Sequence, residues 1–102
     1  MSDIGQMSDK GMEWLSNFLH SRYPKHLSPP YIYPTYEDNV VSLEWEVTGF
    51  EVDIELSLDS HIGEGRCYFK EGQKEWALDF TTNFDDKKEL EKLYSLLGLL
   101  NV

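Results

Sequence analysis

The chain has a single cysteine, Cys67, among 102 residues, so no disulfide can close within it. A small secreted scaffold held together by bridges is excluded. Basic residues are scarce as well: nine Lys and Arg stand against 19 Asp and Glu, a net charge of −10. Binding to bare nucleic acid or to an anionic membrane surface needs basic side chains to displace counterions, and this balance disfavours both. No stretch approaches the roughly 18 consecutive apolar residues of a membrane span. The start, MSDIGQMSDKGM, lacks the basic-then-apolar layout of a secretion signal. A soluble cytosolic protein is expected, with residues 1–8 mobile for want of apolar anchors.

Signatures of chemistry are missing too. Glycines at 63, 65 and 72 precede no G-x-x-x-x-G-K phosphate loop, and Ser28, Thr35, Ser42 and Ser57 sit in no G-x-S-x-G setting. No D-x-D-x-D-G calcium loop occurs, and His20, His26 and His61 are scattered without metal-ligand spacing. Cys67 alternates inward with Phe69, as a buried inert thiol would. No cofactor, no metal and no catalytic residue are expected.

What is present is the composition of a folded domain: 40% hydrophobic residues and 14% aromatic ones are too apolar for a charge-expanded disordered chain. One domain over residues 9–102, with a single two-layer core, fits this length. Met12, Trp14, Leu15, Phe18 and Leu19 recur at helical spacing from Asp9 to Arg22, with Ser8 or Asp9 placed to cap and Pro24 forcing an end near Tyr23. The segment from Tyr23 to Asn39 holds all four prolines and reads as an ordered connection crossing the domain.

Two runs of strict alternation follow. Val41, Leu43, Trp45 and Val47 point one way and Ser42, Glu44 and Glu46 the other; Phe50, Val52, Ile54, Leu56 and Leu58 then point in while Glu51, Asp53, Glu55 and Asp59 point out. Only Thr48-Gly49 separates the runs, which predicts a tight hairpin with Val47 opposite Phe50. Strands around Arg66–Lys70 and Glu75–Phe80 follow, and Leu90, Leu93, Tyr94 and Leu97 predict a C-terminal helix. The expectation is an α+β fold: N-terminal helix, four-stranded antiparallel meander and C-terminal helix, with both helices on one sheet face.

The hairpin register sets Glu46 opposite Glu51 and Glu44 opposite Asp53, four carboxylates on the outer face. Inward Cys67, Phe69, Trp76 and Leu78 set Asp59 opposite Arg66 and Glu55 opposite Lys70, with Lys70 facing Glu75 and Arg66 facing Asp79, so half the face is expected to neutralise itself. Residues 37–64 hold nine acids and no Lys or Arg, and so carry −9 of the −10. A field of this sign speeds encounter with a cationic protein partner. Glu44, Glu46, Glu51 and Asp53 are therefore one candidate binding site. Tyr31, Tyr33 and Tyr36, on a proline-stiffened segment, are another, since rigid tyrosines give contact area at low entropy cost. The leucine-rich tail from Leu93 to Leu100 suggests a homodimer.

Tyr33-Pro34-Thr35-Tyr36-Glu37, then Val40-Val41-Ser42-Leu43-Glu44-Trp45 and Glu51-Val52-Asp53-Ile54-Glu55-Leu56, span about a quarter of the chain. This stretch resembles a group of short bacterial proteins of uncharacterised activity. In that group a proline–threonine turn with a Glu leads into a Glu-Trp strand and a second strand of alternating acids. Asp38-Asn39 replaces the group's usual turn glycine, and Asn accepts a left-handed conformation. The resemblance implies a small bacterial cytosolic domain and transfers no functional residue. The function expected is that of a protein-interaction module for a basic partner, antitoxin, immunity or adaptor-like. The alternatives are a divalent-cation-binding or enzymatic domain using the first hairpin's carboxylates, and a structural oligomer-forming protein.

Overall fold

In the computed structural model of the protein, which describes residues 4–47 and 49–99, Ser8 starts the first helix as its sequence position predicts. Its Oγ accepts the Gly11 N–H at 3.0 Å, satisfying one of the donors a helix start leaves open. Helix α1 runs Asp9–Ser21 and buries Leu15 and Phe18. Met12, expected on the buried face, is instead 42% exposed, and Gly11 takes the close position against Leu58. At the other end of the chain, Asp86 accepts the N–H groups of Lys88 and Glu89 and caps helix α2, Lys87–Gly98, which buries Leu90, Leu93 and Leu97.

Between the helices lie five strands, not four: β1 Tyr31–Pro34, β2 Val40–Val47, β3 Phe50–Ser57, β4 Ile62–Glu71 and β5 Lys74–Asn83. They form one antiparallel sheet in chain order. The additional strand comes from the proline-rich connection. The Trp45 indole N–H donates to the Ser28 carbonyl at 3.1 Å and to Tyr23 Oη at 3.0 Å, and Tyr23 Oη donates to that same carbonyl. This anchor carries the chain to the free side of β2, where Tyr31 to Pro34 pair with Glu44 to Val41. Pro34, lacking an N–H, is tolerated because β1 is an edge.

The β2–β3 register is as strand parity predicts, with Val47 opposite Phe50 and Glu46 opposite Glu51. The β4–β5 register also agrees: Lys70 faces Glu75 and Arg66 faces Asp79. The β3–β4 register differs. Asp53, not Asp59, faces Arg66, and Glu55 faces Glu64 rather than Lys70. The cause is the glycines. Gly63 and Gly65, which precede the strand expected at Arg66–Lys70, lie within β4, where a Cβ on Gly65 would stand 2.2 Å from the Phe80 ring and one on Gly63 2.6 Å from Ile54. Bare backbone there admits the neighbouring side chains, so the strand begins at Ile62, the turn shrinks to residues 58–61, and the pairing slides.

Val41, Leu43, Trp45, Val52, Ile54, Leu56 and Cys67 from the inner sheet face join Leu15, Phe18, Leu90, Leu93 and Leu97 from the helices in one core. Burying a side chain such as Ile54 or Leu56, each 0% exposed, stabilises the fold by about 1.5–3 kcal/mol. The thinnest dimension is 19 Å, a sheet and one helical layer, which leaves the other sheet face without a covering layer among the described residues.

Of the N-terminal segment expected to be mobile, residues 1–3 lie outside the described residues. Further along, Gly5 N–H donates to Thr35 O at 2.8 Å and Ser8 N–H to Asn39 Oδ1 at 2.6 Å. Asn39 adopts the left-handed conformation (φ 55°) that its residue type permits. In the leucine-rich tail, Leu99 is exposed and residues 100–102 lie outside the described residues. No described helix is long and apolar enough to cross a membrane.

Candidate functional site

Antiparallel pairing aligns the outer face into rows that cross the strands. One row runs Tyr31, Glu44, Asp53, Arg66, Asp79; the next runs Tyr33, Ser42, Glu55, Glu64, Thr81; a third runs Glu46, Glu51, Tyr68, Ala77. All four carboxylates singled out from the sequence therefore stand together, and Tyr31 and Tyr33 share their face. Tyr36 sits apart in the β1–β2 loop and is 82% exposed. The twisted face is a shallow concavity of about 690 Å³, with Glu44, Asp53, Glu55 and Glu64 along its lining.

The slid register changes the charge balance. Both cations on this face turn toward β5: Arg66 Nε donates to Asp79 Oδ1 at 2.6 Å, and Lys70 Nζ lies 3.5 Å from Glu75. Asp53 faces Arg66 across the strands without taking its guanidinium. Glu44, Glu46, Glu51, Asp53, Glu55 and Glu64 thus form no ion pair among the described residues, six carboxylates where the sequence pointed to four.

Crowding shows in their acidity. Loss of hydration raises the Glu44 carboxyl above the ordinary Glu range, and the charges of Glu51 and Glu46 raise it further. Glu51 is raised by lost hydration and then by the Asp53 charge; Asp53 is raised by lost hydration and then by the Glu44 charge. Asp79 shifts the other way, because the hydrogen bond from Arg66 favours its charged form. The face therefore stores like-charge repulsion at β2–β3 and relieves it at β5. Ligand atoms of Glu44, Glu46 and Glu51 lie within 4.8 Å of one another, near enough for one cation to touch all three. Three carboxylates on an open face supply only part of the six to eight oxygens that Ca²⁺ takes.

A second constellation escaped sequence reasoning. The His61 ring stacks on Trp14 at a centroid distance of 3.8 Å, and its Nδ1 lies 2.9 Å from an Asp85 carboxylate oxygen. Separations of 47 and 24 positions left no local signal for it. With His61 in a left-handed turn (φ 62°) and its carbonyl accepting the Phe84 N–H at 2.8 Å, the cluster clamps the β3–β4 turn to the approach of α2. Cys67 is buried, and desolvation raises its thiol, as suits an inert side chain.

Fold and site together define a two-layer α+β domain that presents an uncovered, acidic, tyrosine-edged sheet face. Compared with protein-family models, curated proteins and solved structures, the chain matches none.

Proposed function

We propose that the chain is a small protein-interaction domain, antitoxin, immunity or adaptor-like in role, whose outer sheet face receives a basic segment of a protein partner. The observation that carries this reading is the six-carboxylate patch across β2, β3 and β4 that forms no ion pair among the described residues while the neighbouring cations pair with β5. Bringing cationic side chains to groups already crowded by like charge relieves repulsion as well as adding attraction. Tyr31 and Tyr33, 66% and 46% exposed, border the patch, and aromatic faces add favourable contacts to guanidinium and ammonium groups.

Calorimetric titration with a short Lys/Arg-rich peptide tests the proposal. Binding is expected at low salt and should weaken as salt rises. The double substitution Glu46→Lys with Glu51→Lys should cut affinity at least tenfold, about 1.4 kcal/mol, whereas Glu13→Lys on α1 should leave it nearly unchanged. Absence of binding at low salt, or equal losses in both variants, would sink the proposal.

The 4.8 Å grouping of Glu44, Glu46 and Glu51 favours a second reading, a divalent-cation site. Melting scans with Ca²⁺, Mg²⁺ and Zn²⁺ separate the two. A cation at a hundred times its dissociation constant adds about 2.7 kcal/mol to the folded state, and a shift that disappears in Glu44→Gln would support this second reading.

A further inference from the structure

The two edges of the sheet are built differently. β1 has four residues, ends in Pro34 and offers little to pair with. β5 has ten, contains no proline, and pairs with β4 without interruption from Lys74 to Asn83. Its core-side residues run past the helices: Trp76 and Leu78 are 44% and 58% exposed. A groove of about 430 Å³ lies beside them, with Cys67, Phe69, Leu78, Leu93 and Leu96 in its wall. Trp76 also stacks on Phe69 at 5.7 Å, which extends the apolar strip across β4 and β5.

We propose that two copies of the chain pair their β5 edges antiparallel about a two-fold axis at Leu78, joining two five-stranded sheets into one of ten. The charge distribution points to a second copy as the occupant. Residues 65–102 carry seven acids and six Lys or Arg, close to neutral, against −9 for residues 37–64. Five strand spacings then separate the two β3 strands, roughly 24 Å, well beyond a Debye length of about 8 Å. The acidic faces stay apart while the neutral edges meet.

The register follows from the side chains. A two-fold axis normal to the sheet keeps inner residues opposite inner residues, so paired positions sum to an even number. Centring on Ala77 would set Glu75 against Asp79, and centring on Glu75 or Asp79 would set that acid against itself, each a destabilising like-charge pair. Centring on Leu78 avoids this: Leu78 meets Leu78, Trp76 meets Phe80, Ala77 meets Asp79 and Glu75 meets Thr81. Centring on Trp76 sets Leu78 against Lys74, and centring on Phe80 leaves Trp76 nearly unpaired. The Leu78 register also sets Lys74 opposite the other copy's Thr82, so no like charges face one another along the paired edges.

Backbone hydrogen bonding fits this arrangement. Glu71 and Lys74 close a two-residue turn with Gly72 at φ 63°. Such a turn makes 71/74 a hydrogen-bonded pair. By alternation the even residues of β5 bond to β4, and Glu75, Ala77, Asp79 and Thr81 aim their N–H and C=O groups at the open edge.

Sedimentation equilibrium tests the proposal. The wild-type chain is expected at about twice its 11.9 kDa mass. Ala77→Pro removes an edge-facing N–H, a change an edge strand accepts, and Leu78→Lys charges an exposed position. Both variants should sediment as single chains with wild-type circular dichroism. Under oxidised glutathione Leu78→Cys should cross-link into a covalent dimer, whereas Glu75→Cys, some six residues from its own symmetry mate, should not. A wild-type protein of one chain mass overturns the proposal. So does a dimer that survives both Ala77→Pro and Leu78→Lys, or a cross-link formed by Glu75→Cys and not by Leu78→Cys.

Discussion

The β2–β3 and β4–β5 hairpins are similar in length and opposite in character. β2 and β3 are interior strands of the sheet, bury Val41, Leu43, Trp45, Val52, Ile54 and Leu56 on their inner face, and crowd five carboxylates, Glu44, Glu46, Glu51, Asp53 and Glu55, onto their outer one. β4 and β5 continue the sheet outward, pair their outer-face charges other than Glu64 through Arg66–Asp79 and Lys70–Glu75, and leave Trp76 and Leu78 exposed on the side that should be core. One hairpin is complete within and unbalanced without; the other is balanced in charge and incomplete in apolar cover. A net charge spread over the whole chain conceals this division, because the surplus of acid belongs to one hairpin and its approaches.

Truncating the core sharpens the comparison most. Ile54→Ala in β3 removes a side chain with 0% exposure and should cost about 2–5 kcal/mol in urea denaturation. Leu78→Ala in β5, at 58% exposure, should fall within about 0.5 kcal/mol of wild type when the chain is a single copy, as in an Ala77→Pro background. Equal costs at the two sites would erase the distinction. Next in size is Gly65→Ala, whose Cβ would meet the Phe80 ring at 2.2 Å; overpacking there should cost about 1–3 kcal/mol by the same measurement.

Charge removal gives smaller effects of opposite sign. Glu46→Gln relieves a directly opposed pair and should stabilise the fold by about 0.2–1 kcal/mol, a gain that shrinks with added salt. Asp79→Asn should not stabilise. By releasing Arg66, which faces Asp53 across the strands, it should transfer a cation to the β2–β3 side and weaken binding of a basic peptide.

The pH dependence carries the same division. Glu44, Glu51 and Asp53 have raised folded values, so the native state holds their protons more tightly than the unfolded chain. Their contribution favours folding below the ordinary carboxylate range and is lost as pH rises through the raised values. Asp79 is lowered, so its contribution is present above the ordinary Asp range and lost as pH falls through its folded value. Carboxyl-carbon NMR titration should place the midpoints of Glu44, Glu51 and Asp53 above the ordinary values for their residue types and that of Asp79 below.

Much of this was legible from local pattern. Alternation from Val41 to Leu58 with one short gap determines the first hairpin and its four facing acids, because a single-residue slip would expose every apolar side chain. Ser8 and the Leu90, Leu93, Leu97 stripe mark the helices just as directly. The remainder depends on contacts distant in sequence. β1 is a strand because Trp45 holds Ser28 and Tyr23, which no propensity in a proline-rich segment conveys. Gly63 and Gly65 resemble a loop until Ile54, Phe84 and Phe80 are seen filling the space above them. A strand starting at Arg66 instead of Ile62 sets Arg66 and Lys70 against Asp59 and Glu55 on the β3 side, while their β5 partners stay the same, and makes the acidic patch look smaller than it is. The Trp14–His61–Asp85 cluster joins three separate segments and carries no periodicity at all.

The central claim is that the first hairpin's acids are the open ones. Mapping backbone amide shifts during titration with a Lys/Arg-rich peptide at low salt tests it most directly. The largest shifts are expected along Glu44, Glu46, Glu51 and Asp53, extending to Tyr31 and Tyr33, with Glu75 and Asp79 little changed. Shifts of equal size at Glu75 and Asp79, or none on β2 and β3, would contradict it.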